Sequence, residues 1–292
     1  MEHRTSNPTV AGSSPAGVAI LINGARRSLL LKASPITAFL DHYDLWFLLG
    51  AAGFGFLGGF VKGAVGFALP LVAMSGISML ATPAEAIAAI ILPAFFTNIF
   101  QSGRQGLGPA LATAREFWRF GMIVAVTILI VAQAVPHLPI NIFFIVLGIL
   151  VFGATLIQLF GVSLPYPKSS RQKLGFEVSA GLVAGGMGGL GGFWGPATVM
   201  YLTALRVDKA LFIRTQGLVY LMGSVMLVGG HMASGVLNQQ TWPLSFAMIL
   251  PVAIGMVAGT MLHDRLDQKL FKKIVLAVLC CAGLNLLRRG LF

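Results

Sequence analysis

Charged side chains are scarce in this sequence. They make up 10% of its 292 residues, whereas 57% of the residues are hydrophobic. A soluble globular domain usually carries about 25% charged residues, so the composition excludes an ordinary soluble domain. With a mean hydropathy of +0.86, the chain is expected to be an integral membrane protein.

Acidic residues and cysteines are scarcer still. Nine Asp and Glu stand against twenty Lys and Arg. In a membrane protein such an excess marks cytoplasmic loops, so no nucleic-acid partner is predicted. The two cysteines, Cys280 and Cys281, are adjacent, which excludes a disulfide framework and a cysteine metal quartet. Since the chain also lacks an HExxH motif, a Walker loop and a Ser/His/Asp set, we predict no enzyme, no cofactor, no metal site and no ATP-driven pump.

Ten apolar segments follow residue 43, and they predict an all-α integral membrane protein. We divide the chain into an N-terminal tail of low order (1–43), a first transmembrane repeat (44–161), a basic connecting loop (162–174) and a second transmembrane repeat (175–292). Each repeat holds about five segments. The first pair in each repeat is short and glycine-rich, and it either crosses the membrane fully or is broken and re-entrant.

The two halves of the chain repeat at an offset of 126 residues. Gly55–Ile87 aligns with Gly181–Ile213 without a gap. The stretches "GGFVKGAVGFALP" (58–70) and "GGMGGLGGFWGP" (185–196) share the pattern Gly-x-x-Gly-Phe-x-x-Pro. We interpret the halves as two structural repeats.

Lysines and arginines fall in alternate connections between the segments. They are Lys62 and the ranges 104–119, 168–173, 206–209 and 265–273. The intervening connections carry neither residue type, so the positive-inside rule places the basic set in the cytoplasm. An odd number of segments per repeat then turns the second repeat upside down relative to the first, an arrangement common in secondary transporters.

The glycine-proline stretches predict a binding site for an anion. Proline is favoured in the first turn of a helix, so Pro70 and Pro196 indicate helix starts. The turns before them would be formed by Gly63 to Gly66 and by Gly189 to Gly192. Irregular backbone inside a membrane must line a cavity, and helix N-termini attract anions. Two inverted repeats would aim two helix starts at each other near the midplane, with Lys62 adding a full charge.

Four further side chains are candidates for this site. They are Thr198, Tyr201, Arg214 and Thr215. Each has a structural alternative: Arg214 can extend to the cytoplasmic surface, and the others can form hydrogen bonds between helices. The glycines at four-residue spacing can instead serve close helix packing, and Lys62 can be an ordinary loop residue.

Beyond the tail, the sequence resembles the sulfite exporter family TauE/SafE. The resemblance rests on "FLGGFVKGAVGFALPLVAM" and "GLVAGGMGGLGGFWGPATVMYLTAL", and it covers about Leu45 to Leu287. It implies a bacterial inner-membrane permease that moves small sulfur oxyanions or organosulfonates, such as sulfite or sulfoacetate, usually outward.

Together these features predict an exporter of small sulfur-containing anions that works by alternating access. One repeat's bundle would rock against the other around the glycine-lined site. The alternatives are a permease for another small solute and a non-transporting membrane assembly factor. The exact substrate, the direction of transport, the coupling ion, the side of the tail and a homo-oligomeric state stay open.

Overall fold

The computed structural model describes residue 39 and residues 42–103, 106–161, 166–167, 169–262 and 268–292. The chain divides into two compact units, 1–45 and 46–292. The site discussed below lies in the second unit. The tail proposed for residues 1–43 falls almost wholly outside the described residues, as do Arg104, Lys168 and Arg265 of the basic connections.

Within the described ranges the fold is helical and contains no strand. The α-helices, in chain order, are α1 (Leu45–Val65), α2 (Leu69–Ile77), α3 (Pro83–Gly103), α4 (Leu107–Glu116), α5 (Trp118–Ala134), α6 (Ile140–Leu159), α7 (Ser170–Gly191), α8 (Gly195–Ala204), α9 (Lys209–Ala233), α10 (Trp242–Leu262) and α11 (Gln268–Leu291). A short 3₁₀ helix, Val135–His137, joins α5 to α6.

Seven helices of the described chain are long and apolar enough to cross a membrane: α1, α3, α5, α6, α9, α10 and α11. By contrast, α2 has 9 residues and α8 has 10. At 1.5 Å per residue each rises only about 14 to 15 Å, half of the roughly 30 Å hydrocarbon core. These observations confirm an all-α integral membrane protein. The prediction that both members of the first pair in each repeat are short is wrong for the first member, since α1 has 21 residues and α7 has 22.

Helix ends recur at the same offset as the sequence motif. Val65 ends α1 and Gly191 ends α7, Leu69 begins α2 and Gly195 begins α8, and Pro83 begins α3 and Lys209 begins α9. Each of these pairs is 126 residues apart. The duplication therefore extends from the sequence into the secondary structure.

Side chains near the N-termini of α3 and α9 explain two of these helix starts. Glu85 accepts hydrogen bonds from the backbone N–H and the hydroxyl of Thr82, as in a capping box at the start of α3. At the repeat-related position, Asp208 caps α9 by accepting from the N–H groups of Ala210 and Leu211 at 2.8 and 2.9 Å. Each cap supplies acceptors that the first turn of a helix lacks.

Glycines hold α1 very close to α10. A Cβ on Gly59 or Gly63 would collide with the backbone of α10, at the carbonyl oxygens of Val252 and Met256. Likewise, a Cβ on Gly255 or Gly259 of α10 would collide with backbone carbonyls of α1. Small residues at such positions let membrane helices approach closely. We call this contact the α1–α10 seam.

A second seam joins α7 to α5 in the same way. Gly185 and Gly189 face Thr127 and Val131, and a Cβ on either would lie within 2.7 Å of a side chain. Because α1 and α5 belong to the first repeat and α7 and α10 to the second, each seam joins helices of different repeats. The packing role considered for the four-residue glycine spacing is thus confirmed for Gly59 and Gly185.

Two sequence expectations about the connections were wrong. Lys62 is not a loop residue: it lies in the last turn of α1, because that helix continues to Val65. The connection 104–119 is not a plain loop, since α4 occupies Leu107–Glu116. Its run of alanines and other good helix formers favours a short helix over an irregular link.

Candidate functional site

Both glycine-proline stretches form sharp elbows between helices. Gly66 and Gly192 have φ angles of 86° and 82°, and Ala68 also has a positive φ of 77°. Positive φ is readily adopted by glycine and is strained for other residues. Pro70 and Pro196 then stand second in α2 and α8, as the sequence predicted. Of the four glycines predicted to form the turns, only Gly66 and Gly192 lie in them, because Gly63 and Gly189 are still helical.

Replacing Gly66 by alanine tests the elbow conformation. A Cβ there would have room, with its nearest neighbour, Gln216 Oε1, at 3.8 Å. Alanine should therefore lower the free energy of unfolding by about 1 to 2 kcal/mol, through the strain of a positive φ alone. We expect a lower melting temperature for purified Gly66→Ala.

Gly186→Ala is the matched control for this prediction. Gly186 lies within α7 with nothing within 4 Å of an added Cβ. Its melting temperature should stay the same or rise, since alanine is the better helix former. Equal melting temperatures for both variants would contradict a strained elbow.

The two elbows pack against each other. A Cβ on Gly192 would lie 3.3 Å from Pro70 Cγ, and one on Gly195 would lie 3.6 Å from Phe67 Cδ2. Between them is a small pocket with a cavity volume of about 20 Å³. It is lined by Lys62, Phe67, Ala68, Leu69, Pro70, Leu71, Ala94, Asn98, Gly192, Phe193, Trp194, Gly195, Pro196 and Tyr220.

Most of the lining comes in pairs related by the 126-residue offset. The pairs are Phe67 with Phe193, Ala68 with Trp194, Leu69 with Gly195, Pro70 with Pro196, and Ala94 with Tyr220. Ala94 lies near the middle of α3, and Tyr220 near the middle of α9. Both repeats therefore contribute to the pocket, which lies at mid-length of two candidate spans.

Lys62 supplies the charge of this pocket. Its side chain is 4% exposed. The ammonium donates to Thr97 Oγ1 at 2.9 Å and to Asn98 Oδ1. Among the described residues that line the pocket none is acidic. Lys62 is thus a buried cation held by neutral partners.

Polar groups of α3 and α9 fix the surroundings of that cation. Thr97 donates its own hydroxyl proton to Pro93 O at 2.7 Å, which leaves its oxygen to accept from Lys62. Asn98 Nδ2 donates to Tyr220 O at 3.0 Å. Because one amide joins α3, α9 and Lys62, the orientation of the ammonium depends on both repeats.

Backbone N–H groups of the two short helices add donors. The first N–H groups of an α-helix have no intrahelical acceptor. In α2 the first bond back to the elbow runs from Val72 N to Ala68 O at 3.0 Å, and in α8 it runs from Thr198 N to Trp194 O at 3.1 Å. Both helix starts line the pocket, where their dipoles favour negative charge.

The side chains of the other predicted site residues make their contacts outside this pocket. Thr198 and Thr215 are buried and donate to carbonyls of their own helices, Trp194 O and Leu211 O. Tyr201 stacks on Phe120, with ring centroids 4.2 Å apart. Arg214 is half-buried, and its buried Nε has no partner among the described residues.

Of the nine predicted residues, Lys62 and Gly192 line the pocket directly and Gly66 forms its elbow. Gly63 and Gly189 instead face the two helix seams. Thr198, Tyr201, Arg214 and Thr215 do not line the pocket.

The predicted site did not include Thr97, Asn98, Trp194 or Tyr220, which contact Lys62 or line the pocket. Asn98 and Tyr220 are polar residues within apolar runs, which is a usable signal for an internal site. Trp194 gives no such signal, because an aromatic residue in an apolar stretch is ordinary. Its position next to the pocket follows only from the way the elbow turns.

Long helices interrupted by short ones, around a pocket at mid-length that contains a buried lysine, are typical of a membrane permease. The family model described as Sulfite exporter TauE/SafE matches residues 51–286. The chain therefore belongs to the TauE/SafE family. Neither the curated proteins nor the solved structures include a match to it.

Proposed function

We propose that this protein is a permease that exports small sulfur-containing anions, sulfite or organosulfonates, across the cell inner membrane. Transport rather than catalysis is the proposed activity. The observation that carries the proposal is the buried ammonium of Lys62 in the wall of a pocket made by two broken helices. The substrate class also draws on the family to which the chain belongs.

A buried ammonium supports an anionic substrate. Charge inside a membrane is costly unless it is paired or solvated, and such residues commonly mark ion pathways. An ammonium has three N–H donors, and two of them are used by Thr97 and Asn98. The third can therefore serve an anion that enters the pocket, and that anion would supply the missing countercharge.

Pocket size and backbone donors favour a small oxyanion. A cavity volume of about 20 Å³ is little more than one water molecule needs, so the pocket has no room for a large solute. The free N–H groups at the starts of α2 and α8 can donate to several oxygens of one ion. We propose Gly66 and Gly192 as the residues that make these starts available.

Alternating access between inverted repeats is the proposed mechanism. The pocket lies at mid-length of α3 and α9 and receives paired residues from both repeats. Secondary transporters with discontinuous helices bind substrate at such repeat interfaces. Arg214, six residues before Tyr220 on α9, is proposed to lie on the approach to the pocket rather than in it. Thr198, Tyr201 and Thr215 are proposed to support the elbow and α9.

Ligand-induced stabilisation tests this proposal. A ligand that binds only the folded state stabilises it by about 2.7 kcal/mol at 100 times Kd. We expect sulfite or methanesulfonate to raise the melting temperature of the purified protein in a concentration-dependent way. Chloride at matched ionic strength is the control for general salt effects.

Lys62→Met should lose this response while the variant still melts cooperatively. If chloride raised the melting temperature as much as the sulfur oxyanions did, the result would contradict the proposed substrate class. If sulfite raised the melting temperature of Lys62→Met as much as that of the wild type, the pocket would not be the binding site.

A further inference from the structure

The two repeats build their halves of the pocket differently. In the first repeat, Lys62, Thr97 and Asn98 form the polar cluster. The positions 126 residues later are Gly188, Gly223 and Ser224. The second repeat therefore has neither the cation nor its two partners.

Trp194 occupies the space where the second repeat lacks these side chains. A Cβ on Gly188 would lie 2.8 Å from Trp194 Cε3, and a Cβ on Gly223 would lie 3.3 Å from the same atom. The repeat-related residue in the first half is Ala68, whose small side chain leaves room for Lys62. The first repeat thus has a lysine and an alanine at the two positions where the second repeat has a glycine and a tryptophan.

The indole is held firmly in this place. Trp194 is 3% exposed. Its ring lies 6.1 Å from the ring of Tyr220, centroid to centroid. Its carbonyl accepts from the backbone N–H and the hydroxyl of Thr198 at 3.1 and 2.8 Å. A side chain anchored at the start of α8 and facing the pocket forms a fixed apolar wall.

We propose that Trp194 is the residue that limits the size of the transported anion. This inference rests on the proposed function. One half of the pocket binds the oxyanion through Lys62, and the other half ends at the indole, so only an ion with a small substituent fits between them. Removing the indole would leave a cavity beside Gly188 and Gly223, which could accept a larger organic group.

The experiment compares the binding of methanesulfonate and benzenesulfonate to the purified full chain by calorimetry. In the wild type, methanesulfonate should bind and benzenesulfonate should bind more weakly. In Trp194→Ala, the ratio of the two affinities should shift toward benzenesulfonate by at least about tenfold, because a pocket wall commonly discriminates tenfold or more per added carbon. Trp194→Phe should give a smaller shift in the same direction.

Trp118→Ala is the matched control. Trp118 is 57% exposed at the start of α5, so its removal should leave the affinity ratio unchanged. If Trp194→Ala does not fold, Trp194→Phe carries the test, since it keeps an aromatic ring against Gly188 and Gly223.

The outcomes separate this inference from the proposed function. If the wild type binds methanesulfonate and the folded Trp194 variants show the same ratio of affinities for the two sulfonates, the size limit is overturned. The proposed function would still stand. If the wild type binds neither sulfonate nor sulfite, the proposed function fails, and the inference fails with it.

Discussion

Replacing Lys62 by methionine is expected to lower sulfite flux into or out of proteoliposomes by about 10-fold to 100-fold. Lys62 is the charged residue of the pocket and donates to Thr97 and Asn98. A hydrogen bond to a charged group contributes about 1.5 to 3 kcal/mol, and 1.4 kcal/mol corresponds to a factor of ten. The loss of the ammonium should thus remove most of the affinity for an anion.

The same variant is expected to remain folded. Methionine has a similar length and removes the desolvation cost of the buried charge, whereas Asn98 Oδ1 loses its donor at a cost of about 1 to 3 kcal/mol. Because these two effects oppose each other, the melting temperature of Lys62→Met without ligand should stay close to that of the wild type. Lys273→Met, at an exposed lysine of α11, is the control and should transport normally.

Two results would contradict this prediction. Wild-type flux in Lys62→Met would exclude the lysine from the transport site. A markedly lower melting temperature together with lost flux would indicate that Lys62 holds α1 to α3 and does not primarily bind substrate.

Replacing Gly59 by alanine is expected to prevent normal folding. The added Cβ would overlap the backbone carbonyl of Val252, and no side-chain rotation can relieve a clash with backbone. Inserting extra methylenes into packed cores commonly costs 1 to 3 kcal/mol, and occasionally more. Because α1 carries Lys62 a few residues later, separation of the helices would also displace the cation.

Gly53→Ala is the matched control for Gly59→Ala. Gly53 lies in the same helix, is exposed, and has nothing within 4 Å of an added Cβ. We expect a reduced yield of monodisperse protein and a lower melting temperature for Gly59→Ala, and wild-type behaviour for Gly53→Ala. Two equally stable variants would show that the α1–α10 seam is looser than described.

Much of the fold could be predicted from the sequence because the membrane simplifies the problem. Apolar length predicts the spans, and the paired prolines mark helix starts at Pro70 and Pro196. Thr82 and Asp208 are residue types favoured at helix N-caps, so they indicate the starts of α3 and α9 for the same local reason. All of these signals act over a few residues of the chain.

The site was harder to predict because it depends on contacts between distant segments. The turn was assigned to Gly63 as well as Gly66, although only the φ angle separates a helical glycine from one in an elbow. Composition cannot show that Gly63 faces α10. Likewise, Asn98 lies 36 residues from Lys62 in sequence, and nothing local indicates that the two meet.

The glycine seams determine which parts of this protein can move together. The helix α1 packs closely on α10, and α7 packs closely on α5. The first helix of each repeat is therefore held against a helix of the other repeat. A hinge motion that separated residues 44–161 from residues 175–292 would have to pull both seams apart. In the proposed alternating-access cycle, α1 and α10 would therefore move as one unit and α5 and α7 as the other, so that each moving unit would contain helices of both repeats.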